Sequence, residues 1–325
     1  MNNKAVSPSF AELAKEESAR APRNNSEKRA FLSAFIRMNG YLRLRGSNNA
    51  LEVSSENSSI AKVVYEYLRD LYDVKARFAY TRNAGFLKRI VYHVILEEGA
   101  EEILNDLEID FFLPTSPSKN VQKSEDMASF FAGAFLAGGS VNNPHSSSYH
   151  LEIACKEEAF GKFLLKLICK YPPHPFSAKM VTRRSKSVIY IKRGDEISDF
   201  LILLGAKENC LLFEDVRISR DFALIGNRLA NLDTANYQKS QKAGLRQVEE
   251  INYLIEKRGW ASFDNEKIKA LFKIRLEHPD ASLNELAALL SDELNTTISR
   301  SNVNHLLRYL DKEYERALGY EKKRN

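Results

Sequence analysis

Residues 31–40 read FLSAFIRMNG and residues 130–139 read FFAGAFLAGG. Both read as helices, and both are unusual. Glycine inside a helix costs about 1 kcal/mol relative to alanine, so Gly133 needs a compensating contact. Small side chains let two helix backbones approach closely. Ser33, Ala34, Ala132, Gly133 and Ala137 supply such a surface between the two stretches.

Working outward, the segments that follow are copies of each other. Ile60, Val63, Val64, Tyr67, Leu68 and Leu71 recur at helical spacing, and Phe160, Phe163, Leu164, Leu167, Ile168 and Tyr171 repeat that face one hundred residues on. Upstream, Leu51-Glu52-Val53 becomes Leu151-Glu152-Ile153. Downstream, ARFAYTR and KRIVYHVIL are echoed by AKMVTRR and KSVIYIKRG, β-branched and aromatic runs that read as strands. Each copy is therefore helix, two strands, helix, two strands, with a short helix such as DEISDFLILLGA to close. The expected fold class is α+β, a duplicated αββαββα domain followed by an all-α domain. The expected divisions are an N-terminal segment with a short helix (1–24), the duplicated domain (25–212, copies about 25–110 and 125–212), a connecting helical linker (213–259) and a terminal helical domain (260–325).

The chain has 325 residues, 44% hydrophobic and 28% charged, ordinary values for a protein with a real core. Its net charge of +5 is unevenly placed. Residues 1–96 carry +7, 97–126 carry −7, and 156–194 carry +8. The acidic stretch ends in a Pro/Ser/Lys/Asn run and reads as a solvated linker between the copies. The two basic blocks suggest a shared surface for a polyanion. Cys155, Cys169 and Cys210 lack CxxC spacing, which argues against a disulfide scaffold or zinc site and suits a reducing cytosol. No apolar run approaches the roughly 18 residues of a membrane span, and MNNKAVSPSFAELAKEE has no apolar signal core, so neither membrane insertion nor secretion is expected. The six histidines are scattered, and no nucleophile motif or phosphate-cradling glycine loop occurs.

Residues 32–40 and 131–139 resemble the nine-residue motif of the LAGLIDADG homing endonucleases. That resemblance implies paired motif helices at a pseudo-twofold interface, with an acid near each motif's end holding a divalent metal. The corresponding positions here are Asn39 and Gly138, and the other acidic motif position is Arg37 or Leu136. No Asp or Glu occurs in 31–45 or 127–151. An amide and a glycine cannot hold Mg²⁺, which needs carboxylate oxygens. The resemblance thus implies the fold without the cleavage chemistry, and no metal, cofactor or catalytic residue is expected. Glu52 and Glu152 are the nearest acids in matching positions, and relocated ligands there are the basis of a competing endonuclease reading. In the strand YLRLR, Arg43 and Arg45 share one face. With Arg77, Arg82, Lys88, Arg89, Lys179, Arg183, Arg184, Lys186, Lys192 and Arg193 on or beside later strands, they are candidates for a secondary DNA surface.

The last third reads as a helical connector, with Val248, Ile251, Leu254 and Ile255 on one stripe, leading into a helix-turn-helix. Residues 265–277 are helical and Pro279 stops them. Ser282 with Glu285 makes a capping box for a second helix bearing Leu283, Leu286, Ala287 and Leu290. Ser299 caps the next, SRSNVNHLLRYLDKEYERAL. At 100° per residue, Val303, Leu306, Leu307 and Leu310 form an apolar stripe, while Arg300, Ser301, Asn304, His305 and Arg308 face away. A recognition helix needs a buried stripe and polar N-terminal residues for the major groove. Residues 261–325 are net neutral, so either their charge is segregated or the basic repeats contribute affinity.

Taken together, SFAELAKEE, AFIRMNG, AGAFLAGGSV, GNRLANLDTANYQKS and ISRSNVNHLLRYL resemble the WhiA family over nearly the full chain. Asn302 stands where the family usually has glycine, and Leu306 where it has arginine. The resemblance implies a degenerate LAGLIDADG-like domain joined to a helix-turn-helix. It further implies a role in transcription, in sporulation genes or in cell division and chromosome segregation. Double-stranded DNA is the expected partner, with transcription or division proteins as further ones, in the cytoplasm on the nucleoid. A division-associated protein-interaction module is the third reading.

Overall fold

The computed structural model describes residues 7–45, 48–82, 90–113 and 117–322. The chain forms two units, residues 1–220 and 221–325.

In the first unit, α1 (Phe10–Arg20) precedes one αββαββα pass: α2 (Asn25–Asn39), β1 (Gly40–Arg45), β2 (Asn48–Ser55), α3 (Ser58–Tyr72), β3 (Ala76–Arg82), β4 (Ile90–Leu96) and α4 (Ala100–Asp106). The second pass is α5 (Ser124–Gly138), β5 (Gly139–Val141), β6 (Leu151–Cys155), α6 (Glu158–Cys169), β7 (Lys179–Arg183), β8 (Lys186–Ile191) and α7 (Gly194–Leu203). The duplication is visible in the sheets, which are antiparallel with orders β1-β2-β4-β3 and β5-β6-β8-β7.

Alternation sets which face of each sheet meets the helices. Leu51, Val53, Val94 and Leu96 fill that face in the first sheet, and Leu151, Ile153, Ile189 and Ile191 in the second. The periodic stripes of α3 and α6 cover them through Ile60, Val64 and Leu68 and through Phe160, Leu164 and Ile168. Between the copies, α2 and α5 pack together. α5 is buried from Ser129 to Leu136 without interruption, as expected of a helix apolar all round. Gly133 marks a close approach: a Cβ there would stand 2.2 Å from the Phe31 carbonyl oxygen and 3.2 Å from the Ala34 Cβ. That contact offsets the glycine's helix penalty.

The acidic stretch 97–126 corrects the expectation of a solvated linker. Ile103, Leu104, Leu107, Ile109 and Val121 are buried in the first unit's core, with Glu97, Glu98, Glu101, Glu102 and Asp106 exposed and Asp126 buried against the Ser26 hydroxyl at 2.6 Å. The net charge of the stretch concealed its apolar stripe. α1 also belongs to this core: Ala14 and Ala19 are buried, and the Ser18 hydroxyl donates to the Leu204 carbonyl at 2.6 Å.

α8 (Lys207–Arg258) runs out of the first unit and into the second, which adds α9 (Glu266–Glu277), α10 (Leu283–Glu293) and α11 (Arg300–Lys322). The second core gathers Ile251 and Leu254 of α8 with Phe263, Leu271, Phe272, Leu286, Leu290, Val303, Leu307 and Leu310. It therefore takes in helix upstream of residue 260, where the sequence set the start of the terminal domain.

Candidate nucleic-acid interface

α10 and α11 are set by local chemistry. Ser282 and Glu285 form the reciprocal capping box that starts α10. Asn295 turns the chain with a φ of 47°. The Ser291 hydroxyl ties the turn by donating to the Ala287 carbonyl and accepting from the Ile298 amide, at 2.6 and 2.9 Å. The Ser299 hydroxyl accepts from the Asn302 amide at the start of α11. Val303, Leu307 and Leu310 are buried, which fixes the rotation of α11 about its axis. Arg300, Ser301, Asn304, His305 and Arg308 are all exposed.

Residues 261–325 are net neutral, and several acids of the second unit are paired: Asp311 with Arg246 at 2.9 Å, Glu313 with Arg258 and Arg316 at 2.6 Å each, and Glu293 with Lys273 at 3.5 Å. Arg300 and Arg308 have no ion-pair partner among the described residues, and the first turn of α11 carries no acid. The N-terminal face of α11 thus offers uncompensated cations and amide and hydroxyl groups on a fixed support, the set that reads base edges and phosphates.

The sheets of the first unit present a second, less uniform surface. Strand pairing puts Arg43, Glu52, Arg77 and His93 on the face away from the helices, and likewise Lys179, Arg183, Glu152 and Tyr190 in the second copy, with Lys192, just past β8, over the Tyr190 ring at 5.3 Å. Arg82 falls on the opposite parity from Arg77 and lies over the Tyr80 ring at 5.9 Å. Arg184 sits with Ser185 at positive φ in the β7–β8 turn. The side chain of Arg45, and Lys88 and Arg89 altogether, lie outside the described residues. Several of these cations are engaged: Arg43 with Glu52 at 2.6 Å, Arg77 with Glu97 at 3.5 Å, and Arg193 with Asp195 at 2.6 Å.

At the motif ends, the residues do not fit a divalent metal. The Asn39 amide donates to the Ala137 carbonyl at 3.2 Å. Gly138 abuts β6, and a Cβ there would stand 2.6 Å from the Ala154 carbonyl oxygen, so no acid fits without moving a strand. Arg37, at the other acidic position, is buried. It donates to the carbonyls of Asp110 and Leu113 and pairs with Glu157 of the second copy at 2.5 Å. A motif position read as a lost acid is therefore a structural clasp.

Glu52 is 1% exposed, with Arg43 at 2.6 Å and His93 Nδ1 at 2.7 Å, close pairs that fall short of hydrogen-bond alignment. A buried carboxylate requires such partners. Burial and then the Glu52 carboxylate hold the Tyr41 hydroxyl above its usual range. Glu152 lies 2.9 Å from His150 and 3.9 Å from Arg183. Among the described residues no cluster of three or more His, Cys, Asp or Glu side chains could hold a metal, and all three cysteines are free.

A duplicated LAGLIDADG-like body without motif carboxylates, followed by a helix-turn-helix, defines the class. Residues 25–110 match the WhiA N-terminal LAGLIDADG-like domain, 127–223 the WhiA LAGLIDADG-like domain, and 227–314 the WhiA C-terminal HTH domain. The chain belongs to the WhiA family. It is 38% identical over 307 residues to a "probable cell division protein WhiA" of Lysinibacillus sphaericus, covering 93% of this chain and 95% of that one. A protein of the same description from Geobacillus thermodenitrificans is 39% identical over 313 residues, covering 95% and 96%. The crystal structure of full-length WhiA from Thermatoga maritima shares the fold, with a TM-score of 0.57 at 24% identity over 95% of this chain and 99% of that one. No described helix is long and apolar enough to cross a membrane.

Proposed function

We propose that this protein is a non-enzymatic, sequence-specific binder of double-stranded DNA that regulates transcription, acting on the nucleoid in the cytoplasm. Its role is tied to cell division and chromosome segregation or to sporulation, consistent with relatives described as probable cell division proteins. The observation that carries this reading is the exposed face of α11, with Arg300 and Arg308, unpaired among the described residues, above a buried stripe. Arg300, Ser301, Asn304, His305 and Arg308 contact the duplex. Arg43, Arg77, Lys179, Arg183, Arg184 and Lys192 add a weaker surface that also serves transcription or division proteins as a docking site.

The test is Arg308→Ala, assayed on a preferred duplex selected with the intact protein and on a scrambled one. A base contact predicts a loss of about 1–3 kcal/mol on the preferred duplex alone, and a phosphate contact predicts equal loss on both. Unchanged affinity on both rejects the assignment of this residue. In the same preparation, supercoiled DNA with Mg²⁺ or Mn²⁺ stays intact. Nicking abolished by Glu52→Gln or Glu152→Gln would replace this reading with an endonuclease.

A further inference from the structure

The polar turns of α8 upstream of Gly244 looked like a connector in the sequence. Their surroundings in the second unit say otherwise. A Cβ at Gly244 would stand 1.9 Å from the Pro279 carbonyl oxygen, so α8 touches the α9–α10 turn backbone to backbone. That turn is held by Arg275, 2% exposed, whose guanidinium donates to the carbonyls of His278, Pro279 and Ala281 at 3.4, 3.1 and 2.8 Å. The fixed approach brings the turns of α8 just before Gly244 beside the start of α10.

The result is a groove of about 480 Å³. Asn236, Lys239 and Ser240 of α8 form one wall, Ser282 and Asn284 of α10 the end, and Arg300 and Asn304 of α11 the other wall. Three cations line it, Lys239, Arg275 and Arg300, and no carboxylate does. Gln247, 6% exposed, lines its floor. Of the first-turn amides of α10, that of Glu285 is taken by the Ser282 hydroxyl at 3.3 Å; those of Leu283 and Asn284 lack intrahelical acceptors, as in any helix start, and the dipole there favours an anion.

We propose that this groove seats the sugar-phosphate backbone of the DNA strand beside α11, with Lys239 as its phosphate contact and Asn236 and Ser240 as flanking donors. The inference rests on the DNA-binding reading of α11. A duplex is favoured over a free anion because Arg300 and Asn304 belong both to the groove and to the recognition face. Lys239 is exposed and has no ion-pair partner among the described residues, so its removal leaves the core intact.

Binding of Lys239→Ala is followed by fluorescence anisotropy on preferred and scrambled duplexes between 50 and 200 mM KCl, after circular dichroism confirms the fold. One phosphate contact contributes about 0.9 to the slope of log affinity against log salt, so the wild type should lose about 3.5-fold more affinity than the variant across that range. The loss at low salt should be equal on the two duplexes, and Lys239→Arg should restore the slope. Unchanged affinity and slope, or a loss confined to the preferred duplex, overturns the seat while leaving the reading of α11 standing. A wild type that binds neither duplex overturns both. If inorganic phosphate at matched ionic strength stabilises the wild type but not Lys239→Ala, and the DNA slope is unchanged, the groove takes a free anion and the duplex assignment falls.

Discussion

Replacing Gly133 by alanine tests the axis on which the first unit is built. The added methyl would sit 2.2 Å from a backbone carbonyl oxygen of α2. A carbonyl cannot rotate aside as a side chain can, so the helices must part by roughly 1 Å, and attraction across a packed contact fades over such a gap. Phe31, Leu32, Phe35, Phe130, Phe131 and Phe135, fully or almost fully buried about that contact, would all be disturbed. Overpacking costs about 1–3 kcal/mol, occasionally more, and this backbone clash belongs at the upper end. Alanine's better helix propensity returns about 1 kcal/mol. The net loss is about 2 kcal/mol, or about 4–8 °C in Tm for a unit of this size. Trp260, the one tryptophan of the chain, lies in the second unit and provides an internal control. Far-ultraviolet circular dichroism should show an early transition while Trp260 fluorescence melts as in the wild type. A variant as stable as the wild type, or more so, would show that the helices do not meet at Gly133, and the reasoning would fail.

Two further substitutions probe other features. Gly138→Asp restores the motif's acid but drives a Cβ toward the Ala154 carbonyl, so it should destabilise the first unit by about 2–3 kcal/mol. Mg²⁺ should not raise its melting temperature, whereas metal-dependent stabilisation would show that the motif end can still take a ligand. Burial pushes the Glu250 carboxyl above its usual range, although Arg246 pulls the other way. A carboxyl raised in the folded state contributes stability when protonated and loses it as pH rises through the folded value. Glu250→Gln should therefore stabilise the second unit at pH 7, and the gain should vanish below about pH 4. An equal gain at both pH values in Trp260-monitored melts would refute the buried-charge explanation.

Much of the architecture was legible because it is written twice. The stripes at Ile60–Val64–Leu68 and Phe160–Leu164–Ile168 repeat a helical period, and small residues such as Ala132 and Gly133 announced a close helix pair. The rotation of α11 was legible from one apolar stripe, since it follows from Val303, Leu307 and Leu310 alone. What stayed hidden was tertiary. The stripe of α4 lay under an acidic charge count. Arg82 was grouped with Arg77 because parity depends on register, which propensity does not reveal. The groove wall on α8 was missed because its packing runs through Gly244, Gln247 and Glu250, a glycine and two polar residues that a hydrophobic pattern counts as exposed.

Arg37 shows what an acid at its motif position would cost. A carboxylate in its place would leave the Asp110 and Leu113 carbonyls without their donor and bring a second negative charge toward Glu157. The same atoms fasten the end of the first copy to the second, so the identity of this residue is tied to how the two halves of the body are held in register.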